Sequence, residues 1–232
     1  MSKLRTSLAA AAFLSLPVVT PAVGCEVALA MTIDVSGSVD AREFRLQMNG
    51  LADALSDPII TDALVEAQAM VSVMQWSGAG RQKVTLDWQQ VKTRADVAPI
   101  VQFIRSAPRA YKHFSTAIGD AMLKAGALHD QIAGVCERKV IDVSGDGRSN
   151  EGPDVTRVRD RLVRTGITIN GLAIETGTTG ITNYYRSNVI GGPGSFVVTA
   201  DDYKDYPRAI RRKVLTEVTK PIVRIDKDTN DG

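Results

Sequence analysis

The run E-V-A-L-A-M-T-I-D-V-S-G-S, residues 26–38, is the stretch from which the rest of this chain can be read. Val27 to Ile33 is nearly continuous in apolar residues, as a strand covered on both faces must be, and it runs straight into Asp34-Val35-Ser36-Gly37-Ser38. One carboxylate followed by hydroxyls at alternate positions, with a glycine to turn the chain, sets several hard oxygen ligands where a strand gives way to a helix. Such oxygens suit Mg2+, Mn2+ or Ca2+ rather than Zn2+ or Cu2+. The same residues also read as a plain polar turn with Ser38 or Asp40 as a helix cap, and a motif this short needs context to decide between the two.

Working outward, apolar strand-like runs alternate with amphipathic helical runs, the pattern of a parallel sheet with helices on both faces. Asp40 and Glu43 have capping-box spacing ahead of a helix carrying Phe44, Met48, Leu51 and Leu55, and S-D-P at residues 56–58 ends it. Strands follow at 67–76 and 82–88, joined by the short S-G-A-G link of a hairpin, so one antiparallel strand is expected at an edge. A helix is expected over 93–106 and another after Thr116, then a strand over 139–143 leading into S-G-D-G. Pro153 and Asp154 open a further helix, with strands at 167–174 and 195–198 and a closing helix over about 201–218. The expected fold is therefore a doubly wound α/β domain with a six-stranded, mostly parallel sheet. The local run Arg211 to Lys213 in the last helix reads as a solvated basic face.

Met1 to Gly24 has the form of an export signal: Lys3 and Arg5, an apolar centre from Leu8 to Leu16, and A-V-G ahead of Cys25. That centre is too short, and too interrupted by Pro17 and Pro21, to anchor in a bilayer, and no other stretch has membrane length. Residues 25–220 then form the domain and 221–232 a polar tail read as disordered. Removing the leader leaves basic and acidic residues equal in number, so bulk charge offers nucleic acid nothing. With two cysteines in an exported chain, Cys25 and Cys136, a disulfide is expected; both would lie at the ends of their strands away from Asp34 and Asp146. A lipid on Cys25 is the competing reading, although Ala22 stands where a lipoprotein cleavage box usually has Leu.

In an open sheet of this kind ligands bind beyond the carboxyl ends of the strands, where the strand order reverses. Asp34 and Asp146 both fall at such ends. D-V-S-G-S at 34–38, F-S-T-A-I-G-D-A at 114–121 and V-S-G-D-G at 143–147 together resemble the three segments of the metal-ion-dependent adhesion site of von Willebrand factor A domains. Phrases such as V-I-D-V-S-G-D-G, T-I-N-G-L-A-I and V-I-G-G-P-G-S-F-V are similar to a group of exported bacterial proteins of unassigned function that carry this domain. The resemblance implies a divalent ion, Mg2+ by default with Mn2+ or Ca2+ as alternatives, held by Ser36, Ser38 and Thr116 with Asp34 and Asp146 acting directly or through waters. It implies a non-catalytic protein-binding module, periplasmic or secreted, whose partner presents an Asp or Glu to complete the ion. The family's third segment usually ends T-D-G or S-D-G; here Gly145 intervenes between Ser144 and Asp146.

Asp142 lies inside a strand expected to be buried, where Thr32 and Asn170 could satisfy it, and Glu175 lies just past a strand end; both are candidates for an outer shell. His113 adjoins the Thr116 loop, and two histidines form no zinc pattern. The rival is a Mg2+-dependent phosphohydrolase of the haloacid dehalogenase type, with Asp34 as nucleophile and G-D-G-R-S-N at 145–150 on the metal. That chemistry needs a lysine ahead of G-D-G on the phosphate, and Lys139 stands at the wrong end of its strand. No G-x-G-x-x-G follows the first strand and no G-x-S-x-G is present, so dinucleotide binding and serine hydrolysis have no motif to rest on.

Overall fold

A computed structural model of the chain describes residues 24–177 and 180–219. The expected leader, apart from Gly24, and the expected tail lie outside the described residues. Strand β1, Val27–Asp34, is buried along its whole length, consistent with its unbroken apolar run. It is followed by β2 (Met70–Trp76), β3 (Gln82–Gln90), β4 (Arg138–Gly145), β5 (Ile167–Ile174) and β6 (Val197–Ala200). The sheet order is β3-β2-β1-β4-β5-β6, with β2 and β3 antiparallel and every other pair parallel. This is the six-stranded, doubly wound α/β sheet expected, with the hairpin strand at an edge.

Seven helices flank it among the described residues: α1 (Ala41–Ser56), α2 (Pro58–Glu66), α3 (Val97–Ser106), α4 (Ile118–Gln131), α5 (Val155–Arg164), α6 (Ile181–Tyr184) and α7 (Tyr206–Thr219). One core packs Leu29, Met31 and Ile33 against α1, α2, α3 and α7. The other packs Ile141, Val143 and Ile169 against α4 and α5. Alternate residues of the central strands feed the two cores, because successive side chains of a strand leave opposite faces. None of the helices is long and apolar enough to cross a membrane.

Helix α1 starts where expected. Asp40 Oδ1 accepts from the Glu43 N–H and Glu43 Oε2 from the Asp40 N–H, both at 2.7 Å. Its end was expected to lead to a long strand from residue 67; instead Asp57 accepts from the N–H groups of Ile59 and Ile60, Pro58 takes the first helical position, and α2 intervenes. A Pro that closes one helix also suits the first turn of the next, since that N–H has no intrahelical partner. The last strand lies two residues later than expected, and α7 begins at Tyr206, after a turn, rather than at about 201.

The basic run of α7 also departs from its expected role. Arg211 and Arg212 face solvent, but Lys213 is fully buried, 2.7 Å from Asp142 Oδ1 and 2.6 Å from Glu217 Oε1. Helical geometry explains this, because a residue two positions from an exposed one lies well round the helix axis.

At the foot of the sheet the two cysteines are joined, Cys25 to Cys136, with their Cα atoms 4.5 Å apart. The Cys25 sulfur is thus committed to the bridge. The Glu137 N–H donates to the Cys25 carbonyl, so the bridge sits where β1 and β4 begin their pairing.

Candidate metal centre

Strands β1 and β4 are neighbours whose connections leave in opposite directions, and Ile33 pairs with Ser144 in register. Asp34 and Asp146 are therefore delivered side by side at the carboxyl ends, where the strand order reverses. Ser38 Oγ donates to Asp146 Oδ1 at 2.7 Å, and Ser36 Oγ lies 3.3 Å from Ser38 Oγ. Asp34 Oδ1 accepts from the Ser36 N–H at 2.7 Å, an Asx turn that curls the loop back over its own first residue.

The third loop is stitched to the other two through its backbone. Gly37 N–H donates to the Phe114 carbonyl at 2.8 Å, and a side chain at Gly37 would sit 3.2 Å from that oxygen. Thr116 N–H donates to Asn150 Oδ1 and Asn150 N–H returns a bond to the Thr116 carbonyl, both at 2.9 Å. The Thr116 hydroxyl lies 3.8 Å from the position a Cβ on Gly147 would take, so it overhangs the turn after Asp146. Asp34 and Ser36 are fully buried and Thr116 and Asp146 nearly so, while Gly37 and Ser38 are exposed and mark the mouth.

The donor set fits a hard, octahedral cation. At the 2.0–2.1 Å Mg–O distance, neighbouring ligand oxygens stand about 3 Å apart, and the two spacings measured here, 2.7 and 3.3 Å, bracket that value. Asp34 Oδ2 is buried with no hydrogen-bond partner among the described residues, an acceptor that a cation or its water would satisfy. Burial, and then the charge of Asp146, push the Asp34 carboxyl up to about 7, against the pull of the Ser36 N–H and Arg109. A bound cation would reverse that push. Among the described residues no three His, Cys, Asp or Glu side chains cluster as a metal group.

The two outer-shell candidates are not brought into this arrangement. Asp142 points to the α7 face, where Lys213 and not Thr32 or Asn170 meets it; Asn170 Nδ2 donates to Glu217 instead. Glu175 accepts from the N–H groups of Thr182 and Ile181 at 2.8 and 3.3 Å and so caps α6. His113 is an exposed rim residue with φ of 61°. Sequence reasoning missed Arg109, whose Nη2 donates to the carbonyls of Val35 and Ser36 and holds their loop from below. It also missed Gln47, which donates to the Asp34 carbonyl, and Asn150 as the tie to Thr116. Asn150 alone had a signal, its place in G-D-G-R-S-N.

A family model described as "Protein of unknown function (DUF1194)" matches residues 24–222. The chain belongs to the DUF1194 family. No curated protein matches its sequence. Among solved structures it is similar to a von Willebrand factor type A protein from Catenulispora acidiphila (18% identity, TM-score 0.57, covering 85% of this chain and 44% of that one). It is similar also to proximal thread matrix protein 1 from the mussel byssus with a zinc-occupied MIDAS motif (17%, TM-score 0.60, 84% and 46%). A third likeness is to the conserved hypothetical protein BatB from Bacteroides thetaiotaomicron (19%, TM-score 0.54, 85% and 100%). The chain spans about half the length of the first two. This chain thus has the von Willebrand factor A type of fold.

Proposed function

We propose that this protein is an exported, non-catalytic binding module whose centre holds Mg2+, with Mn2+ or Ca2+ as alternatives, and takes an Asp or Glu of a partner protein as the last ligand. Residues 1–24 would be the export signal, 25–220 the module and 221–232 a tail, the mature chain working in the periplasm or outside the cell. The observation that carries the reading is the meeting of Ser36, Ser38 and Asp146 oxygens at the reversal of strand order.

The cation would supply an electrophilic coordination position. Ser36, Ser38 and Thr116 would face it as neutral donors, so it keeps most of its charge, while Asp34 and Asp146 hold it directly or through water. Arg109 and Gln47 fix the loop that carries the two serines. The exposed Ser38 and Gly37 leave the approach open to a carboxylate. Phosphoryl transfer from Asp34 finds little support, because a nucleophile must be reached and Asp34 is fully buried with Oδ1 engaged by Ser36.

Calorimetric titration of Mg2+ and Mn2+ into the wild type and into Asp34→Ala and Ser36→Ala tests the assignment. Binding to the wild type that disappears in both variants, with folding retained, is expected. Equal affinity in either variant would remove the site, and phosphatase turnover lost in Asp34→Asn would restore the enzyme reading.

A further inference from the structure

One tyrosine that belongs to none of the three loop segments reaches the floor of this centre. Tyr185, the first residue of a π turn (Tyr185–Val189) after α6, is fully buried. Its hydroxyl has no hydrogen-bond partner among the described residues, and neither does Asp34 Oδ2. A Cβ built on Gly145 would lie 2.6 Å from the Tyr185 hydroxyl and 2.9 Å from Asp34 Oδ2. The phenol oxygen and the carboxylate oxygen therefore flank one small space, the space that a side chain at position 145 would fill. The glycine that departs from the expected T-D-G pattern is what admits the phenol.

A phenol that faces a carboxylate can only offer it a proton. Pairing of the Tyr185 hydroxyl with Asp34 Oδ2 across the space beside Gly145 satisfies two buried groups at once, a donor and an acceptor that otherwise go without partners among the described residues.

We propose that Tyr185 is a positioning residue of the metal centre: in the cation-loaded protein its hydroxyl donates to Asp34 Oδ2. This rests on the metal-binding reading above. The phenol draws charge from that carboxylate and fixes its orientation, so that the serine and threonine hydroxyls face the ion and the ion stays electrophilic toward a partner's carboxylate.

Tyr206 provides an internal control. It is also fully buried, but its hydroxyl faces Asp142 and Ser144 rather than the centre. The test is calorimetric titration of Mn2+ into the wild-type chain and its Tyr185→Phe and Tyr206→Phe variants, with thermal unfolding of each metal-free protein. Tyr185→Phe should weaken Mn2+ binding about tenfold, or 1.4 kcal/mol, with Tyr206→Phe within about twofold of wild type on the same scale. Mg2+ should also perturb the near-ultraviolet tyrosine absorption of the wild type, and Tyr185→Phe should abolish that change. Wild-type affinity in Tyr185→Phe, or an equal loss in Tyr206→Phe, overturns the proposal while leaving the metal reading intact. A wild type that binds no Mn2+ removes both. If Tyr185→Phe fails to fold, the wild-type absorption decides alone, and its failure to change on Mg2+ addition overturns the proposal.

Discussion

Ser38 Oγ and Asp146 Oδ1 are joined at 2.7 Å across 108 residues of sequence, linking the loop after β1 to the loop after β4. Ser38 is exposed, so replacing it should cost the fold little, within about 0.5 kcal/mol for a surface position. In Ser38→Ala the apparent Mn2+ affinity should nevertheless fall at least about tenfold, 1.4 kcal/mol. Parallel calorimetry and urea unfolding check this; equal affinity with lowered stability would make the serine a structural tie alone.

The buried triad of Lys213, Asp142 and Glu217 sets a single cation between two carboxylates. Burial, against the pull of Lys213, pushes the Glu217 carboxyl up to about 7. Lys213→Met leaves Asp142 without its counter-charge and should destabilise by about 3–5 kcal/mol. Glu217→Gln keeps an oxygen to accept from both Lys213 and Asn170, which now share Oε1, and should cost far less. Chemical denaturation of the two variants should rank them in that order, and the reverse ranking would show that Glu217 rather than Lys213 holds the triad.

His129 makes stability depend on acid. The ring is buried, its centroid 5.1 Å from that of Trp88, and Nε2 lies 3.0 Å from the Val140 carbonyl, which only accepts; the neutral ring thus carries its proton on Nε2. Burial above all, with Lys139 adding, pushes its pKa down to about 4. The unfolded ring titrates near 6.5, so between these values the unfolded chain binds more protons than the folded one. The native state is favoured in full above about pH 6.5 and loses up to about 3 kcal/mol of that advantage as pH falls toward 4. Unfolding of wild type and His129→Gln at pH 7 and pH 4.5 should show the gap between them changing with pH; a constant gap would refute it.

The bridge from Cys25 to Cys136 closes a loop of sequence separation 111. Loop-closure entropy for about 100 residues amounts to roughly 4–5 kcal/mol, with about 2–5 typical of a lost native disulfide. Reduction, or Cys25→Ala with Cys136→Ala, should lower the thermal midpoint markedly while leaving Mn2+ affinity at temperatures where the chain is folded, because the bridge lies at the opposite ends of β1 and β4 from the metal centre.

What the sequence by itself determined is what depends on neighbours along the chain. The two-sided burial of β1, the capping box of Asp40 and Glu43, the hairpin between β2 and β3 and the three oxygen-bearing loops all follow from local spacing and turn chemistry. A local signal that misled was Pro58, since the same residue stops α1 and starts α2. Packing decided the rest. Lys213 changes from a solvated basic residue to a buried counter-ion because of the face α7 turns to β4, and that same contact takes Asp142 away from the metal centre. Tyr185 and Arg109 reach Asp34 and its loop from distant parts of the chain, with no spacing to announce them. Gly145 reads as a defect in a motif until the Tyr185 hydroxyl is seen beside it, because the room a side chain needs is set by the partners that surround it and not by the residues before and after it.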